Sequence, residues 1–282
     1  MRADMHSHST ASDGTSSPAE VMRRASAAGL DAIALTDHDT VAGHRAAAEA
    51  LPPGLTLVPG MELSCRLDGH SVHLLGYLFD PADAELAAES ARIRESRLDR
   101  ARAMVDRLAE LGAPVTWEQV SALAGDGVVG RPHIARAMVD AGVISSPGDA
   151  FGPDWIGAGG RAHVTRYALD PARAIGLIRA AGGVTVLAHP RAGARGWMMP
   201  DDAIADLAAA GLHGIEVWHP DQGEEQRALL TALAADLGLV ASGGSDDHGA
   251  LTGYRIGCET IASEEYQRLL SQATGAAPVR GQ

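Results

Sequence analysis

The sequence predicts an α/β protein whose parallel sheet, open or closed into a barrel, is interrupted by an all-α insert. The first observation is that short apolar, β-branched runs alternate with helical stretches in both outer parts of the chain. The second is that this alternation stops between about Ala82 and Val164, where helical patterns follow one another without a strand. The third is the length of 282 residues, which suits one large domain that carries a smaller insert.

Seven strands and several helices follow from these patterns. The predicted strands are Met1 to Met5, Ala32 to Thr36, Leu55 to Val58, Val72 to Tyr77, Val184 to Ala188, Gly214 to Trp218 and Leu239 to Ser242. The predicted helices around them are Ser17 to Ala28, Val41 to Leu51, Pro171 to Ala181, Asp201 to Ala210, Glu224 to Leu237 and Glu264 to Ala273. The tail after Ala276 is predicted to be frayed.

The insert is predicted to be helical throughout. Helices are expected from Arg92 to Leu111, from a capping box at Thr116 to Gln119, and from Pro132 to Ala141. The predicted domains are therefore a barrel formed by residues 1–89 and 165–282 and a helical insert, or cap, formed by residues 90–164.

Composition excludes several classes of function. The chain contains neither lysine nor asparagine, so Schiff-base and P-loop lysine chemistry is excluded. The net charge of −13 disfavours a long nucleic-acid surface, although a short nucleotide could bind in a local arginine and metal pocket. No apolar run approaches the ~20 residues of a membrane span, and no signal peptide is apparent. Cys65 and Cys258 are too few for a disulfide scaffold, so we expect a cytoplasmic protein.

Residues that bind metals lie where the predicted strands end. They occur in Asp4 to His8 with Asp13, in Asp37 to Asp39, in Gly60 to Glu62, at His73, at His189, and in Ser245 to His248. The ends of parallel strands meet on one face of a barrel. His6 and His8 are two residues apart, as are Asp246 and His248, so each pair would point the same way from an extended segment. Imidazoles and carboxylates without a thiolate favour Mn²⁺, with Fe²⁺ or Zn²⁺ possible.

The remaining histidines carry a weaker signal. His44 and His213 are predicted to be solvated, and His70 is predicted to be structural. His219 ends the sixth strand on the same rim, where it could support a ligand.

These motifs resemble the PHP (polymerase and histidinol phosphatase) superfamily. The segments that carry the resemblance are 4–9, 12–14, 35–39, 59–62, 188–190 and 244–248. The resemblance implies a distorted seven-stranded β/α barrel with a cluster of two or three divalent ions. It implies as ligands His6, His8, Asp13, His38, Glu62, His73, His189, Asp246 and His248, with Glu62 bridging two ions and Asp13 also taken as a catalytic residue.

The insert resembles that of the small phosphoesterases of this superfamily, which include a 3′,5′-nucleoside bisphosphate phosphatase and a 5′→3′ exoribonuclease. The segment is Val129 to Arg136, where the resemblance implies that Arg131 and His133 reach the substrate phosphate and that His133 donates a proton. The same two residues also fit an ordinary helix N-terminus. Further candidates for substrate binding are Arg161, Arg191, Arg195 and Trp197. Trp197 is either a platform for a base or a residue of packing or of an oligomer contact.

Three functions remain open at this point. The first is a phosphoesterase for small nucleotides such as pAp, and possibly for short 5′-phosphorylated RNA. The second is a phosphatase for a non-nucleotide metabolite similar to histidinol phosphate. The third is an inactive metal-binding accessory domain. The oligomeric state is open in all three.

Overall fold

A sheet of seven strands in a row, with a short eighth strand at one of them and helices around it, forms the main part of the computed structural model, which describes residues 1–125, 127–193 and 197–282. The strands are β1 (Ala3–Asp4), β2 (Ala32–Leu35), β3 (Thr56–Leu67), β4 (His70–Tyr77), β5 (Val184–Leu187), β6 (Gly214–Trp218), β7 (Val240–Gly243) and β8 (Val279–Arg280). The helices are α1 (Pro18–Ala27), α2 (His44–Glu49), α3 (Ala84–Glu110), α4 (Trp117–Ala124), α5 (Arg131–Asp140), α6 (Pro171–Ala180), α7 (Asp201–Ala209), α8 (Glu224–Asp236) and α9 (Ser263–Leu270).

The sheet is nearly closed into a barrel. Strands β1 to β7 pair in sequence order. Backbone hydrogen bonds then join the two ends of the sheet: the amide of Met5 donates to the carbonyl of Gly243 (3.2 Å), and the amide of Asp246 donates to the carbonyl of His6 (2.8 Å). The predicted fold class, a distorted β/α barrel, is confirmed.

Strand β2 shows how the sequence pattern builds two layers. Successive side chains of a strand point to opposite faces of the sheet. Ala32 and Ala34 join a cluster with side chains from β1, β3, β4, β5 and β7. Ile33 and Leu35 join a second cluster with Val21 and other side chains of α1 and α2. All four β2 side chains are buried, as a strand covered on both faces requires.

One strand runs against the expected direction. β4 pairs antiparallel with both β3 and β5, whereas the sequence pattern predicted a parallel sheet. The connection between β3 and β4 is Asp68-Gly69, and both residues have positive φ (48° and 83°). Two such residues suit the tight primed turn that joins antiparallel strands. β3 continues up to this turn and ends at Leu67, well beyond the predicted end at Val58.

Two further predictions about elements are wrong. The C-terminal tail is paired rather than frayed, since Val279 and Arg280 of β8 lie antiparallel to Leu57 and Thr56 of β3. α3 begins at Ala84 rather than Arg92 because the alanine- and glutamate-rich stretch before Arg92 also favours a helix.

Backbone contacts divide the described chain into two compact units, residues 1–88 with 168–282 and residues 89–167. The second unit is helical and has its own core, which includes Met104, Leu108, Ile134 and Met138. Its predicted capping box is confirmed: the Thr116 hydroxyl accepts from the Gln119 amide while the Gln119 side chain accepts from the Thr116 amide. No helix in the described part of the chain has both the length and the apolar character that a bilayer crossing requires.

Candidate metal centre

The nine predicted metal ligands come together in the first unit, at the end of the barrel where β1, β2, β5 and β7 finish. Their ligand atoms form overlapping groups within 4.8 Å. The groups are His8, Asp13, His38 and His248; His6, His8, Glu62 and Asp246; His38, Glu62 and His73; and His6, His189 and Glu216. His73 reaches this end because antiparallel β4 begins there.

Glu62 lies at the middle of the cluster. Its Oε2 atom is 3.3 Å from Nε2 of His6, 3.2 Å from Nε2 of His8 and 3.1 Å from Nδ1 of His38. Its Oε1 atom is 2.7 Å from Nδ1 of His73 and 3.2 Å from Nε2 of His189. Each carboxylate oxygen thus faces its own set of imidazoles, which is the arrangement that a bridging ligand needs.

Acidic residues beside the predicted ligands shape the loops that carry them. Asp37 accepts hydrogen bonds from the backbone amide and the hydroxyl of Ser9 and from the hydroxyl of Ser12. Asp247 accepts from the backbone amides of Gly249 and Arg255. Satisfied buried carboxylates of this kind fix a loop without touching a metal.

The backbone at the centre is tightly constrained. His189 and Asp246 have φ values of 31° and 48°, in the left-handed region that non-glycine residues rarely adopt. Asp246 therefore reaches the cluster from a turn, not from the extended segment that its spacing to His248 predicted. A Cβ atom at Gly244 would lie 2.5 Å from Cβ of His6, so this glycine permits the close approach of two chain segments.

Charges within the cluster stabilise one another. Burial alone would lower the pKa of His8, but hydrogen bonds and the charges of Asp246 and Glu62 raise it to about 10. Burial alone would raise the pKa of Glu62, but His38, His73 and His6 hold it well below its usual range. Asp13 has a lowered pKa for the same reason, since the charges of His38 and His248 more than offset its burial.

The donor set fits divalent cations. The Nε2 atoms of His6 and His8 lie 3.1 Å apart and converge on the same two carboxylates, Glu62 and Asp246. The buried Nδ1 of His8 has no hydrogen-bond partner among the described residues, and Oδ1 of Asp13 is 3.9 Å away from it. A cation between such atoms would satisfy them together. Neither cysteine belongs to these groups.

Two buried residues, Glu216 in β6 and His219 directly after it, complete the surroundings. Glu216 contacts His6 and His189, and Nε2 of His219 lies 3.2 Å from Oδ2 of Asp246. The amide of Asp221 donates to Nδ1 of His219, so the ring proton is on Nε2 and points at Asp246. Sequence reasoning included His219 as a possible support and missed Glu216. The available signal was an acid inside the apolar run of β6.

The prediction that His44 and His213 are solvated is wrong. Nε2 of His44 lies 2.7 Å from the carbonyl oxygen of Gly60, and Nδ1 of His213 accepts from the amide of Thr185. Burial lowers the pKa of both rings.

The insert residues predicted to bind substrate lie in the second unit. Arg131 begins α5, where its guanidinium is 5.3 Å from the ring centre of Phe151. Nδ1 of His133 accepts a hydrogen bond from the Gly130 amide at 3.0 Å, so Nε2 carries the ring proton. Arg161 is exposed.

The barrel residues predicted to bind substrate follow β5. Arg191 is buried, its side chain pairs with Asp201, and its amide donates to Gln222. The indole of Trp197 stacks on the ring of His70, with centroids 4.4 Å apart and planes 5° from parallel. Arg195 lies outside the described residues.

Comparison with known proteins assigns the chain to a family. The model of the PHP domain matches residues 4–114. A 5′-3′ exoribonuclease of Haemophilus influenzae is 38% identical over 248 residues, which cover 87% of this chain and 89% of that protein. The chain belongs to the PHP family. A 3′,5′-nucleoside bisphosphate phosphatase of Chromobacterium violaceum is 36% identical over 87% of this chain and 86% of its own length. A candidate metal-dependent phosphoesterase of Bifidobacterium adolescentis superposes with a TM-score of 0.90 at 34% identity, covering 96% of both chains.

An exoribonuclease and a nucleoside bisphosphate phosphatase both hydrolyse phosphate esters. The present chain is accordingly a metal-dependent phosphoesterase, with clusters of histidine and carboxylate side chains that are able to bind metal ions.

Proposed function

We propose that this PHP protein hydrolyses phosphate esters of small nucleotides, above all 3′,5′-nucleoside bisphosphates such as pAp, and also short 5′-phosphorylated RNA. The observation that carries the proposal is the convergence of nine nitrogen- and oxygen-bearing side chains, with Glu62 at their middle. Relatives of the chain include a 5′-3′ exoribonuclease and a 3′,5′-nucleoside bisphosphate phosphatase. We propose that these residues hold two to three divalent ions, with Mn²⁺ favoured over Fe²⁺ and Zn²⁺. The cytoplasmic location and the absence of a long nucleic-acid surface remain predictions.

The ligand set is His6, His8, Asp13, His38, Glu62, His73, His189, Asp246 and His248. Ions bound there would lower the pKa of a water molecule to near neutrality and withdraw charge from a phosphoryl oxygen. The two carboxylate oxygens of Glu62 each face a different group of imidazoles. Asp13 adds a carboxylate beside His248, with Oδ1 3.3 Å from Nε2 of that ring.

Arg131 and His133 are assigned to the substrate phosphate. A guanidinium binds phosphate oxygens with fixed, paired donors. Nε2 of His133 carries the ring proton, because Nδ1 accepts from the Gly130 amide, and this N–H would donate a hydrogen bond to the leaving oxygen. Arg161, Arg191 and Arg195 are further candidates for the second phosphate, and Arg191 must then exchange its contact with Asp201.

Trp197 is assigned to the nucleobase. An indole offers a flat apolar face on which any base can stack. The parallel stack on His70 supports this role, because a platform held on one face is pre-organised for a base on the other.

A substrate panel tests the proposal. Phosphate release would be measured with pAp, AMP, short 5′-phosphorylated RNA, histidinol phosphate and p-nitrophenyl phosphate. We expect the highest kcat/KM for pAp. A higher value for histidinol phosphate than for every nucleotide would favour the metabolite phosphatase instead, and no hydrolysis by a metal-loaded sample would favour the accessory domain.

Arg131→Ala tests the role of the insert. Loss of a hydrogen bond to a charged group should cost about 1.5–3 kcal/mol of transition-state stabilisation with pAp. p-Nitrophenyl phosphate lacks a second phosphate and should lose less. Arg136→Ala is the matched control, because Arg136 lies on the same helix but is exposed and paired with Asp140. Equal losses for both substrates would limit Arg131 to the reacting phosphate, and no loss would remove it from the site.

A further inference from the structure

β6 carries a buried acid, Glu216, that is not one of the nine ligands predicted from the sequence, although it lies within reach of His6 and His189. Glu216 is 1% exposed and lies between Ile215 and Val217, which are fully buried. A buried carboxylate is costly unless hydrogen-bond donors satisfy it. The residues that satisfy Glu216 therefore indicate why it is there.

Both oxygens of Glu216 face N–H groups of predicted metal ligands. Oε1 lies 3.0 Å from Nδ1 of His6, and Oε2 accepts from the backbone amide of His189 at 2.8 Å. On the other side of the same ring, Nε2 of His6 lies 3.3 Å from both Glu62 and Asp246. Because Nδ1 donates to Glu216, the lone pair that remains for a cation is on Nε2.

Glu216 contacts His189 through the backbone amide and not through the ring. His189 has a φ of 31°, which costs conformational energy for a residue with a side chain. Its amide is held by Glu216 while its Nε2 lies 3.2 Å from Oε1 of Glu62. Glu216 thus holds in place the turn from which the His189 ring faces the cluster.

Glu216 is itself fixed by the end of its own strand. The side-chain amide of Gln222 donates to the carbonyl oxygens of Glu216 and Val217 at 3.0 and 2.9 Å. The side-chain oxygen of Gln222 accepts from the amide of Arg191, two residues after His189. The segment after β5 is therefore tied to β6 at two points.

We propose that Glu216 is a positioning residue of the metal centre and not a ligand: it selects the Nε2 lone pair of His6 for the metal and holds His189 in its left-handed turn. This inference rests on the proposed metal centre and does not depend on the identity of the substrate. Removing a residue that hydrogen-bonds to a metal ligand typically lowers metal affinity by about 10–100-fold.

Zn²⁺ binding to Glu216→Gln tests the inference without any substrate. Glutamine keeps the shape but has only one acceptor oxygen, so either the His189 amide or Nδ1 of His6 must face an NH₂ group that cannot accept from it. We expect the dissociation constant, measured by competition with a chromophoric chelator, to rise about 10–100-fold while the number of ions bound at saturation stays at the wild-type value. Glu259→Gln is the control for an acid-to-amide change away from the ligands: Glu259 is partly buried and paired with Arg227, and this variant should bind Zn²⁺ like the wild type.

Two outcomes would overturn the inference. Loss of one bound ion at saturation would make Glu216 a ligand, and wild-type affinity would make it irrelevant to the centre. A second measurement remains decisive if the variant does not fold: nitrogen-15 NMR of the histidine rings in wild-type protein loaded with Zn²⁺. We expect the ring proton of His6 on Nδ1, and a proton on Nε2 would refute the assignment. Failure of the nucleotide proposal would leave both results unchanged.

Discussion

Metal binding to this protein should release protons, because the metal-free centre holds its carboxylates ionised and its central histidines protonated. The pKa of His8 is raised to about 10 by Asp246 and Glu62 against the opposing effect of burial. The pKa of His6 is likewise raised well above its usual value, since the charges of Asp246, Glu216 and Glu62 outweigh its burial. An imidazole must lose a proton before it can bind a metal ion.

The size of the effect follows from these pKa values. At pH 8 both rings carry a proton that the metal must displace, so we expect about two protons released from His6 and His8 together. Each released proton makes the apparent affinity rise about tenfold per pH unit. The assay is a pH-stat titration with Mn²⁺ in weakly buffered solution, repeated between pH 7 and 9.

Two variants locate the source of the protons. His8→Gln should release about one proton fewer than the wild type. His213→Gln is the control, because burial and Arg179 lower the pKa of His213 and leave it neutral at pH 8. An affinity independent of pH, with no proton release, would refute the description of the centre as a set of charged pairs.

The raised pKa of His8 also makes the stability of the metal-free protein depend on pH. A histidine with a raised pKa contributes stability that is fully present below its unfolded pKa of 6.5 and is lost as pH rises through its folded pKa of about 10. For His8 the full contribution is on the order of 3–5 kcal/mol. Urea unfolding of metal-free protein should therefore show decreasing stability from pH 6.5 to 10, and increasing stability would contradict the argument.

Three further predictions concern the centre. His8→Ala and Asp246→Asn should each abolish phosphate release while the circular dichroism spectrum remains that of a folded α/β protein. The melting temperature should fall by the part that bound metal contributes. Wild-type turnover by a variant whose metal content has been measured would show that the replaced residue is not needed at the centre. Chelation should abolish activity, and Mn²⁺ should restore it better than other common divalent ions; full activity in a sample shown to be metal-free would exclude hydrolysis by a metal centre. Gly244→Ala should weaken metal binding about tenfold or more, because its Cβ would lie 2.5 Å from Cβ of His6. Gly238→Ala is the control: its Cβ would meet no atom within 4 Å, and its positive φ should make the change cost stability without changing the metal affinity.

Much of this fold could be predicted because each outer element has a clear local cause. Ser17 caps α1 through the amide of Glu20 and is followed by proline, so the start of this helix is readable from the sequence. The buried four-residue run of β2 has the length and composition of a strand covered on both faces. The ligands could be located because strand ends in a barrel meet at one face whatever their separation in sequence.

The direction of β4 could not be predicted from apolar runs alone. A short run such as Val72 to Tyr77 has the same composition in a parallel and an antiparallel sheet. The informative signal was the turn, since Asp68-Gly69 favours a tight hairpin, and it lies in a polar segment between the two predicted strands. The pairing of β8 with β3 is harder still, because it joins residues more than 200 positions apart, and no local pattern specifies its partner.

Glu216 shows why a ligand list is an incomplete description of this centre. Motif and spacing find residues that meet a metal, because the metal imposes a residue type at each position. A residue that holds those ligands is constrained only by its neighbours, so its signal is the physical cost of burying a charge inside β6.

Protons and metal ions compete for the same nitrogens here, and this competition connects the fold to the reaction. The carboxylates Glu62 and Asp246 stabilise either protonated imidazoles or a cation, since both place positive charge at the same points. The metal-free barrel can therefore fold with its centre assembled, and metal entry replaces protons without requiring the strands to move. It follows that the acid limb of the activity profile should track metal occupancy and not the titration of a catalytic group. Raising the metal concentration should shift that limb to lower pH, whereas a limb set by the titration of a catalytic group would stay in place.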